Sequence, residues 1–104
     1  METANYIIEI FKYSVFTVMS WGFHDPVAIE HGLKFYVQGF LHKGAVEVRY
    51  DEGYDLFTVH ILNADGSVKA VQDGIYLDGL VDCIDKLVEY CPNYEERVRQ
   101  TYFA

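Results

Sequence analysis

The sequence predicts an α+β fold in which helices cover one face of an antiparallel meander sheet of three to four strands. Both ends of the chain space their apolar residues as helices do, and the middle alternates apolar with polar residues. Gly and Asp interrupt the alternating part at short intervals, as tight turns require. The expected order is α-β-β-β-β-α-α. With 104 residues and no linker or repeat, residues 1–104 are expected to form one compact domain.

The first helix is predicted from Thr3 to Ser20. Strict alternation fails here, which favours a helix over a pair of strands, although Phe16 falls on the polar side of the helical wheel. Gly22 and Pro26 end the helix, and a connector is expected to reach Gly32. The residues expected to share one apolar arc are Ile7, Ile8, Ile10, Phe11, Val15, Val18 and Met19.

Three strands are predicted between residues 33 and 61, where apolar residues recur at every second position. Closely spaced strands with short turns must pair antiparallel, because parallel pairing needs long crossovers. Ser67 to Gln72 alternates poorly and is predicted as a weaker fourth strand at an edge. The expected inward residues are Leu33, Phe35, Val37, Val46, Val48, Phe57, Val59 and Ile61.

The clearest helical pattern lies from Leu77 to Cys91, and Pro92 ends it. Asn93 then begins a short final helix, with Glu96 placed to complete a variant of the capping box. Its expected inward residues are Tyr94, Val98 and Tyr102.

The charge balance restricts the class of partner. Eight basic against sixteen acidic residues give a net charge of −8, so a polyanion such as nucleic acid would be repelled. The apolar stretch from Tyr6 to Trp21 is interrupted by Glu9 and Lys12, and no positive charge precedes it. We therefore expect neither a signal peptide nor a membrane span.

The two cysteines point to a reducing compartment. Cys83 and Cys91 are predicted on one helix about 12 Å apart along its axis, too far for a disulfide. Two cysteines are also too few for a disulfide scaffold. The expected location is the cytoplasm.

The first candidate site is the sheet face turned away from the helices. Aromatic rings and an arginine together are typical of protein-binding patches, although cross-strand pairs that only stiffen the sheet are an equal alternative. The nominated binding residues are Tyr36, Gln38, Phe40, Arg49 and His60, beside Lys34, Glu47 and Thr58.

The second candidate is a row of carboxylates on the long helix, at spacings of four, three and four residues. Such a row could bind a basic partner by imitating nucleic-acid phosphates. The alternative is an ordinary solvated helix face, which charge rows usually are. The row consists of Asp78, Asp82, Asp85 and Glu89.

A catalytic or metal-binding function has the least support in the sequence. His24, Asp25, Glu30 and His31 gather in the connector, but their spacing matches no metal site, and His24 beside Asp25 is more typical of a turn. Nucleophile motifs, phosphate-binding glycine loops and Cys-x-x-Cys are missing from the sequence. We expect no catalytic residue, metal or cofactor.

The function predicted from these observations is a non-catalytic protein–protein interaction or regulatory module. Its partner is another protein or a second copy of the chain, bound through the sheet face or the strand from Ser67 to Gln72. An acidic regulator of a basic partner is the alternative. A His/carboxylate metal protein or enzyme is the third.

Overall fold

A computed structural model describes residues 2–89. Its elements are α1 (Glu2–Lys12), α2 (Val15–Ser20), β1 (His24–Ile29), β2 (Gly32–Gln38), β3 (Lys43–Asp51), β4 (Leu56–Leu62), β5 (Val68–Ile75), a 3₁₀ turn (Leu77–Gly79) and α3 (Leu80–Val88). The final helix predicted from Asn93, with Tyr94, Val98 and Tyr102, lies outside the described residues, and so does Cys91. Within residues 2–89, no helix has the length and apolar character needed to cross a membrane.

The α+β class and the antiparallel sheet are confirmed. The sheet is a meander in the order β1-β2-β3-β4-β5, so each strand pairs with its neighbours in sequence. The predicted number of three to four strands is wrong, because the connector between Gly22 and Gly32 contains β1. The predicted weak strand at an edge corresponds to β5.

The sequence does not reveal β1, because this strand lies at the edge of the sheet. Its middle four residues are all exposed, so no apolar and polar alternation marks it. Pro26 is tolerated at an edge, and Asp25 has a left-handed φ of 52° where the register with β2 shifts. The strand is held by backbone pairing, with Val27 opposite Lys34.

The first predicted helix is two helices. The amides of Tyr13 and Ser14 donate to carbonyls three residues back, which tightens the last turn and ends α1. α2 begins only at Val15, after the turn at Tyr13 and Ser14, so it does not continue the helical spacing of α1. Val15 and Met19 are therefore exposed rather than on the buried arc, and Met19 is 68% exposed. Phe16, expected on the polar side, is 87% exposed.

The helices pack on one face of the sheet, as predicted. Buried residues of α1, α2 and α3 form one cluster with the inward residues of β2, β3 and β4. Its centre is aromatic: the ring of Phe11 meets those of Trp21 and Phe35 edge-on, at centroid distances of 5.8 and 5.5 Å. Because the three rings come from α1, from the residue after α2 and from β2, the group joins the helices to the sheet.

Candidate functional site

The sheet face opposite the helices, here called the outer face, is formed by alternate residues of β2, β3 and β4. Because side chains along a strand alternate between faces, burying Phe35, Val48 and Val59 directs their neighbours outward. The outward residues are half-buried or exposed and do not belong to the helix-covered core cluster. The outer face comprises Lys34, Tyr36, Gln38, Glu47, Arg49, Thr58 and His60.

One row crosses the outer face from edge to edge. Lys34 lies opposite Glu47, which lies opposite His60 on the next strand. The row ends in an apolar residue at each edge, Val27 on β1 and Val71 on β5, and about half of each is exposed. Residues directly opposite on one face are close enough to interact. The row therefore has an opposite-charge pair, Lys34 and Glu47, beside His60 at its centre, and an apolar residue at each end.

Contacts within the outer face hold the side chains of Tyr36 and Arg49 in position. The Lys34 Nζ lies 5.8 Å from the centre of the Tyr36 ring, and the His24 ring lies 5.9 Å from it on the other strand. Arg49 donates through Nη2 to Glu47 Oε1 at 3.0 Å and through Nη1 to the carbonyl oxygen of Glu30 at 3.1 Å. Both side chains are thus positioned before any partner arrives.

A shallow cavity of about 430 Å³ adjoins Arg49 at one end of the outer face. Tyr50, the turn after β3 and His31 form its rim. The Tyr50 hydroxyl donates to Asp55 Oδ1 at 2.5 Å, and this bond is the main reason that its pKa is raised to about 12. Sequence reasoning missed this rim, although the turn residues 51–53 were a signal of its place.

Phe40 is not on the outer face, which corrects the sequence interpretation. β2 ends at Gln38, and Phe40 lies in the loop before β3. Its backbone amide donates to Glu89 Oε2 at 3.1 Å, and the next two amides both donate to the carbonyl oxygen of Val88. The loop thus supplies hydrogen-bond donors to acceptors at the end of α3. These bonds hold the loop on the helix side of the domain.

The acidic row does not form one open surface. Asp78 and Asp82 are exposed, whereas Asp85 accepts a hydrogen bond from Trp21 Nε1 at 2.9 Å. Glu89 is only 6% exposed because the loop containing Phe40 closes over it. Asp85 and Glu89 therefore contact other parts of the domain, whereas Asp78 and Asp82 face solvent.

The histidines of the connector do not converge. His24 begins β1 and contacts the Gly22 carbonyl oxygen through Nδ1 at 2.7 Å. The His31 Nε2 lies 3.6 Å from the Glu30 Oε1, and both side chains are exposed. From Glu2 to Glu89 no group of three or more His, Cys, Asp or Glu side chains is arranged to hold a metal ion.

Cys83 is half-buried, and its burial raises the pKa of its thiol above the usual value, against the opposing effect of Lys86. A raised pKa leaves little thiolate at neutral pH, so this thiol is a weak nucleophile.

Comparison of the chain with protein-family models finds no match, and comparisons with curated proteins and with solved structures find none either. Two surfaces stand out: the outer face, and the exposed part of the acidic row.

Proposed function

We propose that the protein is a non-catalytic interaction module that binds another protein through the outer face of its sheet. The observation that carries the proposal is the cross-strand row on that face, which leaves Tyr36 and Arg49 accessible while holding both in place. Tyr and Arg are enriched among the residues that dominate binding energy at interfaces. The cytoplasm is the proposed location.

Preorganisation is the physical reason that this surface suits binding. A side chain that is free before binding costs about 0.5–1.5 kcal/mol to immobilise in an interface. Arg49 is already held by two hydrogen bonds and Tyr36 is already flanked by Lys34 and His24, so less of this cost remains. The exposed Val27 and Val71 add apolar area at the two ends of the row.

A second copy of the chain is one partner included in the proposal. Among residues 2–89, β5 pairs with β4 alone, so its other edge has backbone donors and acceptors that no described strand uses. Val68 and Val71 on that strand are each 53% exposed. Edge-to-edge pairing of two copies would continue the outer face across both chains.

An acidic regulator of a basic protein is the alternative function. Asp78 and Asp82 favour it, since both remain exposed and belong to a chain with a net charge of −8. A charge-driven complex weakens as salt is added, whereas one held by Tyr36 and Arg49 on a near-neutral face responds less. Salt dependence therefore separates the two functions.

The test is affinity capture of the partner by two matched double variants. Y36A with R49A removes the two anchors, and the control Y54A with K86A removes one exposed tyrosine and one exposed cation elsewhere. We expect the first pair to reduce the recovery of the same partner about tenfold or more, a loss of about 1.4 kcal/mol, and the control to retain it. Equal recovery would sink the proposal.

Self-association is measured on the same proteins by sedimentation velocity over a range of concentrations. If a second copy binds through the outer face, the wild type and the control show a concentration-dependent dimer and the Y36A, R49A variant shows a weaker one. A dimer paired through β5 would be unchanged in that variant, because neither residue lies on that strand. A wild-type chain that stays monomeric and captures no partner would also overturn the proposed function.

A further inference from the structure

A groove on the helix side of the domain runs between α1 and the beginning of α3. Its volume is about 570 Å³. The residues that line it lie at positions 6, 9, 10, 13 and 14 on one side and at 77, 78, 81 and 82 on the other. Because residues three and four positions apart share one face of a helix, the groove is a trough that extends over about two turns, or roughly 10 Å.

One wall of the groove is a second apolar stripe on α1. The first stripe, which includes Ile7 and Phe11, is buried in the core. Tyr6, Ile10 and Tyr13 follow one another at spacings of four and three residues and line the groove. Tyr13 is 91% exposed. Apolar residues beyond the core stripe are typical of a helix that packs against a further element.

The other wall comes from α3 and the 3₁₀ turn before it, which repeat this arrangement. Leu80 and Ile84 are buried in the core. Leu77 and Val81, four residues apart, line the groove, and Leu77 is 46% exposed. The two additional stripes thus form opposite walls of one trough, which is the shape that a third helix can fill.

Tyr6 is held in place before any partner arrives. Its ring meets that of Tyr50 edge-on at a centroid distance of 5.5 Å, and it lies 6.1 Å from the ring of Phe57. Phe57 is fully buried in the core. Less conformational freedom is therefore lost at this wall when an occupant binds.

Carboxylates border the apolar walls. Glu9 is paired with Lys12, its Oε1 lying 2.9 Å from the lysine Nζ. Asp78 and Asp82 are exposed one turn apart, and no cation between Glu2 and Glu89 forms an ion pair with either. An apolar trough with two available carboxylates at its rim is complementary to a helix with Lys or Arg beside its apolar face.

The helices of a second copy fit this rim poorly. α1 and α3 each contain two carboxylates and one lysine, and α2 contains no charged residue. Placing α1 or α3 of another copy in the groove would bring further negative charge to Asp78 and Asp82. Charge complementarity therefore favours a different protein as the source of the helix.

We propose that this groove binds an amphipathic helix of another protein, whose apolar face lies between α1 and α3 and whose basic side chains meet Asp78 and Asp82. The proposal does not rest on the outer face, since the groove lies on the opposite side of the sheet. It also differs from a purely acidic regulator, because the apolar walls contribute to binding.

The test is fluorescence anisotropy of the full chain with a labelled synthetic peptide of about 15 residues, the length at which isolated helices become marginally stable. The peptide carries leucines at helical spacing on one face and lysines beside them. Two matched peptides replace every lysine by glutamate or every leucine by serine. We expect a Kd of roughly 1–100 μM for the first peptide and binding at least about tenfold weaker for the other two.

Variants of the chain place the binding in the groove. Y13A with L77A removes one exposed side chain from each wall, and D78N with D82N removes the charges of the rim. Each pair should weaken binding of the leucine and lysine peptide about fivefold, and added salt should diminish the effect of the second pair alone. Far-UV circular dichroism checks the fold, which should persist because neither Tyr13 nor Leu77 belongs to the core cluster.

Matched controls change the same kinds of residue elsewhere. Y54A with V68A removes an exposed tyrosine and an exposed aliphatic side chain, and E52Q with D73N changes the net charge as much as the rim variant does. Both should bind the peptide as the wild type does. So should the Y36A, R49A variant, which separates this site from the outer face.

Equal binding of the three peptides, or wild-type affinity in either groove variant, would overturn the proposal. Tight binding of the serine peptide would show a surface that attracts any basic chain. A full chain that binds no peptide would overturn it as well. Sedimentation velocity would then tell whether a second copy occupies the groove, since a monomer would place the occupant within the chain itself.

Discussion

Replacing Trp21 by Phe tests the contact that joins α2 to α3. The Trp21 side chain is 0% exposed, and its Nε1 donates to Asp85 Oδ1 at 2.9 Å. A hydrogen bond to a charged group contributes about 1.5–3 kcal/mol, and the smaller ring leaves a void that costs about 1 kcal/mol more. W21F should therefore lower the free energy of unfolding by about 3 kcal/mol.

The hydrogen bond is separated from the packing by a double-mutant cycle with D85A. If the hydrogen bond causes the loss of stability, W21F and D85A should show a coupling energy of about 2 kcal/mol. D85N keeps an acceptor, so it should lower the free energy of unfolding less than D85A does. Urea unfolding of the four proteins of the cycle and of D85N gives these values, with an unchanged m-value as the check on two-state behaviour. Far-UV circular dichroism is the probe, because Trp21 is the sole tryptophan.

Such a cycle would refute the reasoning if its coupling energy fell below about 0.5 kcal/mol, the usual limit of additivity for independent sites. The position of Asp85 in the acidic row would then reflect solvation, not contact with α2.

Three further predictions concern the loop after β2, a tyrosine and a buried histidine. G39A should destabilise the protein by about 1–3 kcal/mol in urea unfolding, because the added Cβ would lie 2.3 Å from the Val88 carbonyl oxygen. Ultraviolet titration should find Tyr50 ionising near pH 12, with stability lost from pH 10 to 12 as the unfolded tyrosine ionises first, and D55N should lower this pKa. Burial lowers the pKa of His42 below its ordinary 6.5. The stability contributed by the neutral imidazole is therefore complete above that pH, and the urea midpoint should fall as the pH decreases below it.

Matched variants accompany these measurements. G79A adds a Cβ where no atom lies within 4 Å and should change stability by less than about 1 kcal/mol, so equal losses for both glycines would contradict the packing argument. H42Q should flatten the acidic part of the stability profile. A Tyr50 titration unaffected by D55N would show that the hydrogen bond does not hold the proton.

Local patterns predicted the three central strands and the buried face of α3. Leu33, Phe35 and Val37 recur with a period of two, and Leu80, Ile84 and Val88 with a helical period, and all six are buried. These periods arise from backbone geometry, so neighbours in sequence suffice to reveal them. The same reasoning failed for β1, which is stabilised by pairing with β2 and buries too little to show a period.

Site residues were harder to predict than elements. Tyr36, Arg49 and His60 do lie on the outer face, because their strands were identified with the correct inward residues. Phe40 followed the same alternation in sequence, but the strand ends before it and its amide binds Glu89. β2 ends where the next loop forms hydrogen bonds to the end of α3, and no pattern in the neighbouring sequence indicates such a contact.

The amino-acid sequence by itself determined the class of the fold, the antiparallel pairing of its central strands and which side of each strand is apolar. Tertiary structure decided the break in the first helix, the pairing of β1, the burial of Glu89 and the division of the acidic row. The physical reason is distance along the chain. Periodicity depends on residues two to four positions apart, whereas contacts such as Trp21 with Asp85 form between residues 64 positions apart and exist only once the helices have packed.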